Sequence, residues 1–188
     1  MTRSPGAAEA GQDAGTFRFY RLRAGAARAT PVGAIGDYSV RIWHPSWTRV
    51  PPPLVRTSVN WVWWLLHNVR VFRSRAFAVI SLEQEGRLIH RSTVFPPFFR
   101  FPFMRGSDIQ VGDTWTEESH RGRSLARLAI RTACAAAPAA GDVWYIVEES
   151  NAPSIHVVEK EGFELVARGA RVPRLGMRLL GYYAMTSA

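Results

Sequence analysis

Apolar and polar positions along the chain change period several times, and each change marks an element. The run 59–72 (VNWVWWLLHNVRVF) carries apolar residues at helical spacing, with Trp61, Trp64, Leu65, Asn68 and Phe72 on one face. That pattern predicts a helix packed on a core. Pro51-Pro52-Pro53 before it reads as a stiff extended lead-in. Positions 76–83 and 87–94 are β-rich and are separated by Gln84-Glu85-Gly86, the pattern of a hairpin with a glycine turn. The next segment, 95–104 (FPPFFRFPFM), breaks the alternation with three prolines and five phenylalanines. Prolines at that density exclude a central strand and leave two readings, a loop over a pocket and an apolar flap of the core.

The second half is more regular. Positions 108–116 alternate as a strand, 125–137 read as an Ala-rich helix with Arg127 and Arg131 on its wetted side, and 142–147 as a buried strand. A short helix at 153–160, a strand at 163–167 and a last strand at 177–185 follow. This order predicts an α/β fold (an α+β mixed sheet), one central sheet with helices on both faces. The expected organisation is a floppy leader over 1–15, rich in small residues, and a single domain over 16–188, with no internal repeat.

Composition narrows the function. The 188 residues are 47% apolar, enough for one well-filled core. The net charge of +9 is carried almost wholly by arginine, Lys160 being the only lysine, and is scattered along the chain. Without a recognised binding motif that charge disfavours nucleic acid as a partner and suits small phosphate-bearing molecules. Cys134 is the only cysteine, so there is no intramolecular disulfide or Cys-rich metal site, and no metal is expected. A small buried residue is its expected role. The N-terminal segment lacks the apolar core of a secretory signal, which together with the single thiol points to the cytoplasm. At about 14 residues the Trp-rich run is shorter than the roughly 20 needed to span a bilayer. A helix lying on a membrane surface is its alternative reading.

The chemistry concentrates in two segments. Between the strand ending at Thr116 and the helix beginning near Leu125 lies Glu117-Glu118-Ser119-His120-Arg121-Gly122-Arg123-Ser124. Unpaired amides and the dipole at such a helix start favour an anion, Gly122 permits close backbone approach, and Arg121 and Arg123 add charge. A plainly capped helix start is the bland alternative. In the second segment, Asn151 suits a helix cap, Pro153 the first turn and Gly162 a left-handed C-cap, each a structural explanation in its own right.

Together these residues resemble the GNAT acyltransferases. The stretch Arg121-Gly122-Arg123-Ser124-Leu125-Ala126 is similar to the pyrophosphate loop, Arg/Gln-x-x-Gly-x-Gly/Ala, with Ser124 in place of the usual glycine. Asn151-Ala152-Pro153-Ser154 followed by Glu159-Lys160-Glu161-Gly162-Phe163 is similar to the Asn-x-x-Ser/Ala…Glu-Lys-x-Gly-Phe segment of the family. The resemblance implies acetyl-CoA or another acyl-CoA as cosubstrate, with its diphosphate on Arg121, Gly122, Arg123, Ser124, Leu125 and Ala126. It also implies Asn151 and Ser154 facing the pantetheine arm, and backbone groups near Trp115 and Thr116 gripping the thioester.

The reaction so implied is direct N-acyl transfer to the amine of a small molecule, with a base or water taking the amine proton and a strand N–H holding the oxyanion. Glu148 and Glu149, at the end of the 142–147 strand, are the expected catalytic carboxylates, of which strand alternation lets at most one face the cleft. Asp113 and His120 rank below them. Where the family often has a thiol-protonating tyrosine, counting back from Gly162-Phe163 gives Val158, and His156 is expected on the opposite side of that helix. A looser resemblance, to GNAT proteins that occur with sugar-modifying enzymes, implies an amino sugar or nucleotide-linked amino sugar as acceptor.

Overall fold

The computed structural model describes residues 16–25, 34–55, 57–138 and 140–186, so the expected leader lies outside the described residues. The strands are β1 (Thr16–Leu22), β2 (Ala34–Ile35), β3 (Tyr38–Trp43), β4 (Ala78–Gln84), β5 (Arg87–Phe95), β6 (Ile109–Thr116), β7 (Val143–Glu148), β8 (Glu164–Arg174) and β9 (Met177–Thr186). They form one sheet in the order β2-β3-β4-β5-β6-β7-β1-β8-β9. Only the β6–β7 pair is parallel. The expected mixed sheet is therefore present.

Period-2 alternation divides the core between the two faces of this sheet. One face presents Ile80, Leu82, Val111, Val143, Tyr145 and Val147 to two helices, α2 (Leu125–Ala136) and α3 (Ala152–Lys160), through Leu128, Ala129, Ala133, Ile155 and Val158. The other presents Val79 and Trp144 to Trp63 of helix α1 (Ser58–Asn68) and to Phe98, Phe101 and Met104. Segment 95–104 thus satisfies both of its readings, since the same phenylalanines fill the core and line a cavity described below. Cys134 is buried on α2, and Arg127 and Arg131 on its wet side each reach Glu161 at 2.7 Å.

Helix α1 corrects the expected face. Asn60, Trp63, His67 and Asn68 are the buried residues, whereas Trp61 and Leu65 are 39% and 49% exposed, and the helix ends before Phe72. Its outer side, with Val62 and Val69, is as apolar as its inner side, so periodicity alone points both ways. The buried Asn60 amide donates to the Val55 carbonyl, and the Thr57 hydroxyl accepts the Asn60 N–H at 3.2 Å as an N-cap. No helix among the described residues is long and apolar enough to cross a membrane.

β1 and β3 are not among the elements expected of the sequence, although TFRFYRL and YSVRIW both alternate. β3 is largely exposed. β1 carries Arg18 and Arg21, whose partners Glu149 and Asp142 stand far along the chain, so nothing local marks its place in the middle of the sheet.

Candidate active site

β6, the turn after it and the starts of α2 and α3 enclose a groove of about 660 Å³. Trp115, Thr116, Arg121, Gly122, Ser124, Leu125, Ala126, Asn151 and Ser154 all line it, bringing together two sequence segments some thirty residues apart. Arg123 is the exception: its guanidinium leaves the groove and donates to the Tyr38 hydroxyl at 3.2 Å. Arg127 and Lys160, not singled out by the sequence as ligands, join Arg121 in the lining and make the groove cationic.

The turn's backbone explains its residues. After a short 3-10 turn at Glu118–His120, Gly122 takes φ +78°, with open space where a side chain would stand. Conformation, not crowding by the protein, is what selects glycine there. Ser124, the N-cap of α2, takes φ 60° and makes no side-chain bond to the first-turn amides. A serine so placed carries a backbone strain of about 1–2 kcal/mol yet preserves the loop shape that a glycine adopts freely. The α2 amides thus face the groove without a side-chain cap, a ready anion site. At α3 the Asn151 carbonyl oxygen accepts the Ser154 N–H at 3.2 Å, Pro153 sits in the first turn and Gly162 follows the helix at φ +80°, as the spacing predicts. His120 lines the groove too and is held by Gln84 at 3.1 Å and Ser119 at 2.9 Å.

The groove ends at a break in the sheet. β6 and β7 pair over Ile109↔Val143, Gln110↔Trp144 and Val111↔Tyr145, and separate beyond. On its other side β6 bulges: Arg91 pairs with Trp115 and Thr93 with Gly112, so two steps on β5 match three on β6. The bulge centres on Asp113, at φ 47°. Behind it runs a polar ladder the sequence analysis did not single out. His90 bonds Thr116 at 2.7 Å and Ser92 at 3.0 Å, and Ser92 bonds Thr114 at 3.1 Å. Burial, then the charge of Arg91, lowers the His90 pKa to about 4, so its ring is neutral at pH 7 and serves as a fixed hydrogen-bonding strut under the groove.

On the opposite face lies a second cavity of about 260 Å³. Trp63, Phe95, Phe98, Phe101 and Tyr183 wall it, and Arg100, Gln110, Gly112 and Asp113 supply polar groups. The two cavities share the split. β6 contributes Gly112 and Asp113 to one and Thr114, Trp115 and Thr116 to the other; β7 contributes Ile146 to one and Tyr145 to the other.

The carboxylates sort accordingly. Glu149 accepts from Arg18 at 2.9 Å and from Arg168 at 3.3 Å, and these bonds hold its pKa below the ordinary carboxylate value, the wrong direction for a base. Glu148 lies on the face of Trp144 and Ile146, and its charge is felt by Tyr183 of the second cavity, whose phenol is raised first by burial. Asp113 lines that cavity directly and is held by Arg91 and Thr93, each at 3.3 Å. On α3 Val158, the position counted back from Gly162-Phe163, is fully buried in the core; His156 stands on the opposite side of the helix from it, as expected, and lines the groove with Val157. No cluster of potential metal ligands occurs among the described residues.

A family profile, the acetyltransferase (GNAT) family, matches residues 38–163. No curated protein matches the chain. Among solved structures, one similar to it is a GNAT-family acetyltransferase of Novosphingobium aromaticivorans, 18% identical over 81% of this chain and 61% of that one, with a TM-score of 0.50. Another is a GCN5-related N-acetyltransferase of Sphaerobacter thermophilus, 10% identical over 82% of this chain and 50% of its own, with a TM-score of 0.55. A tandem GNAT protein from the clavulanic acid biosynthesis pathway is 16% identical over 83% of this chain and 52% of its own, with a TM-score of 0.50. At these identities the likeness is one of fold, and this chain spans only 50% to 61% of the length of those three proteins. The profile covers well over half of the chain, and both of its signature segments frame the groove: the chain belongs to the GNAT acetyltransferase family.

Proposed function

We propose that this protein transfers an acetyl group from acetyl-CoA to the primary amine of a small molecule. The observation that carries the reading is the meeting of the two cavities, one on each face of the sheet, at the β6–β7 split. A donor in the cationic groove and an acceptor in the aromatic cavity approach one another there. The amine nitrogen attacks the thioester carbonyl, the C–S bond breaks, coenzyme A leaves as thiol or thiolate, and the amine gives up one proton. No enzyme-bound intermediate is needed. Asp113 is the carboxylate best placed to receive the amine proton, with Glu148 next by strand face. In this reading a backbone N–H at the β6 bulge, where the ladder with β5 is interrupted, holds the oxyanion.

Within that reaction an amino sugar remains the favoured acceptor. The second cavity is at the small end of ligand sites, which run about 300–1,000 Å³, and supports a single ring over a nucleotide-linked sugar. A cytoplasmic location belongs to the same reading, supported by the lone, buried Cys134. Purified protein is tested by calorimetry with acetyl-CoA and then by release of free thiol over a panel of amines. Binding without thiol release on any amine overturns transfer and leaves an acyl-CoA-binding protein.

The exposed apolar side of α1 favours a second reading, contact with a membrane surface. Trp61 and Trp64 sit at 5.6 Å, Trp47 and Trp64 at 5.6 Å, and Val62, Leu65 and Val69 extend the patch. Co-sedimentation with anionic vesicles tests it, and recovery of all the protein in the supernatant removes it.

A further inference from the structure

The polar ladder under the groove is an unbroken hydrogen-bond chain with both of its ends on the groove. His90 lies between Thr116, at 2.7 Å, and Ser92, at 3.0 Å, and Ser92 reaches Thr114 at 3.1 Å. The two middle members, His90 and Ser92, are fully buried, whereas Thr114 and Thr116 line the groove. Strand register builds the chain: His90 is the cross-strand partner of Thr116, and residues two apart share a face, so Ser92 falls beside Thr114. Three hydroxyls and one neutral imidazole hold four exchangeable hydrogens, and the three links use three of them. The fourth is left at one end. It stands on Thr114 when the His90 proton is on Nε2 and on Thr116 when that proton is on Nδ1, so the ring tautomer sets which end donates into the groove. Burial, then the charge of Arg91, keeps the ring neutral, with one nitrogen a donor and the other an acceptor.

Thr114 is the end nearer the split. It follows Asp113, which lines the aromatic cavity, and is the first β6 residue to line the groove. In the acetyl-transfer reading the thioester lies at this border. Its sulfur departs as the conjugate base of a thiol whose ordinary pKa is about 8.5, so at neutral pH it takes up a proton. We infer that the chain Thr116–His90–Ser92–Thr114 is a proton relay that protonates the sulfur of the departing coenzyme A. The inference rests on the acetyl-transfer reading and adds the acid to it. As the C–S bond breaks, the sulfur takes the Thr114 hydroxyl hydrogen, Thr114 takes that of Ser92, and Ser92 takes the Nε2 hydrogen of His90. Nδ1 then takes the hydrogen of Thr116, which is replaced from solvent in the groove. No member of the chain ends charged, and His90 changes tautomer. Asp113 returns the amine proton to solvent, so the whole reaction consumes none. After coenzyme A leaves, water at the two ends exchanges protons through the chain and restores the first tautomer.

Ser92 supplies the test, because it lines neither cavity and meets the groove only through the chain. Single-turnover thiol release is measured at saturating acetyl-CoA with an amine that the protein acetylates. Ser92→Ala and Thr114→Val should each slow release about ten-fold or more, with the Kd for acetyl-CoA unchanged. Thr114→Ser, which keeps the hydroxyl, should recover most of the rate. The double variant should be no slower than the slower single one, since either change breaks the same chain. Release at the wild-type rate in Ser92→Ala, or losses that multiply in the double variant, would overturn the relay while leaving acetyl transfer intact. Should no amine turn over, the failure lies with the acetyl-transfer reading, and nitrogen NMR of protein labelled in its histidines still decides the relay. Saturation with coenzyme A should move the His90 ring, identified by its loss in His90→Gln, toward the Nε2-protonated tautomer, because the sulfur then accepts at the Thr114 end. An unchanged tautomer ratio overturns the inference.

Discussion

The two cavities that meet at the β6–β7 split differ in how they are built. The groove is walled by three stretches, 114–127, 145 and 151–160, and Arg121, Arg127 and Lys160 make it cationic. The aromatic cavity draws on α1, segment 95–101, β6, β7 and β9, and most of its wall is ring faces. A phosphate-holding turn can be specified by a few neighbouring residues, because its amides point one way only when successive φ values are fixed, as at Gly122 and Ser124. A pocket made of ring faces has no such local grammar. Its walls are interchangeable aromatics brought together by the sheet.

The comparison breaks most sharply at Asp113, which stands on the border. Asp113→Asn is expected to lower kcat by about 10²-fold or more, the usual range for a lost general base, with the Kd for acetyl-CoA retained. Glu148→Gln should have a smaller effect and Glu149→Gln none on turnover, because Glu149 lines neither cavity and Arg18 and Arg168 hold its pKa low. Steady-state kinetics on the three variants checks the ranking, and equal activity in all three returns proton removal to water.

Under the groove side, His90 ties stability to pH. Its folded pKa of about 4 lies below the unfolded value of 6.5, so the unfolded chain takes up the proton first as pH falls. The contribution is fully present above pH 6.5 and is lost between 6.5 and about 4, on the order of 3 kcal/mol over that window. Urea unfolding at pH 7 and pH 4.5 measures it. His90→Gln should be less stable than wild type at pH 7 but should lose less on acidification.

A third change touches only the groove. Gly122→Val forces a β-branched residue to φ +78°, at a point where the protein leaves open space, so acetyl-CoA should bind at least ten-fold more weakly by calorimetry.

The smallest expected effect concerns α3. Val158→Tyr places a ring in a closed core and should lower stability by about 1–3 kcal/mol. Val157→Tyr, on the groove side, should leave the melting temperature within a few degrees of wild type. Thermal unfolding of the two variants separates the positions.

Residue by residue, these results mark what the sequence can carry. Arg121 to Ala126 and Asn151 to Ser154 are legible because backbone geometry near a helix start depends on the residues that form it; Arg123 escapes, since its partner Tyr38 stands on a distant strand. That Val158 is buried and Val157 faces the groove turns on helix phase against the sheet, which a count along the chain does not supply. Trp61 and Trp63 compete for the core on equal hydrophobic terms, so periodicity does not say that Trp63 is the buried one. Tyr183 reaches the aromatic cavity from β9, whose place depends on its register with β8 and is invisible until that register exists.

β1 bears on how the protein reaches this state. It is the first strand in the chain to be synthesised among those described, yet it is wedged between β7 and β8, and its Arg18 meets Glu149 at a separation of 131 residues. On the ribosome it has no partner until β7 has emerged and is not enclosed until β8 follows. Closing so long a loop is entropically slow, so β7, which borders the split, gains its β1 neighbour only late. Until then the chain carries an unpaired, phenylalanine-bearing strand that a chaperone is suited to shield.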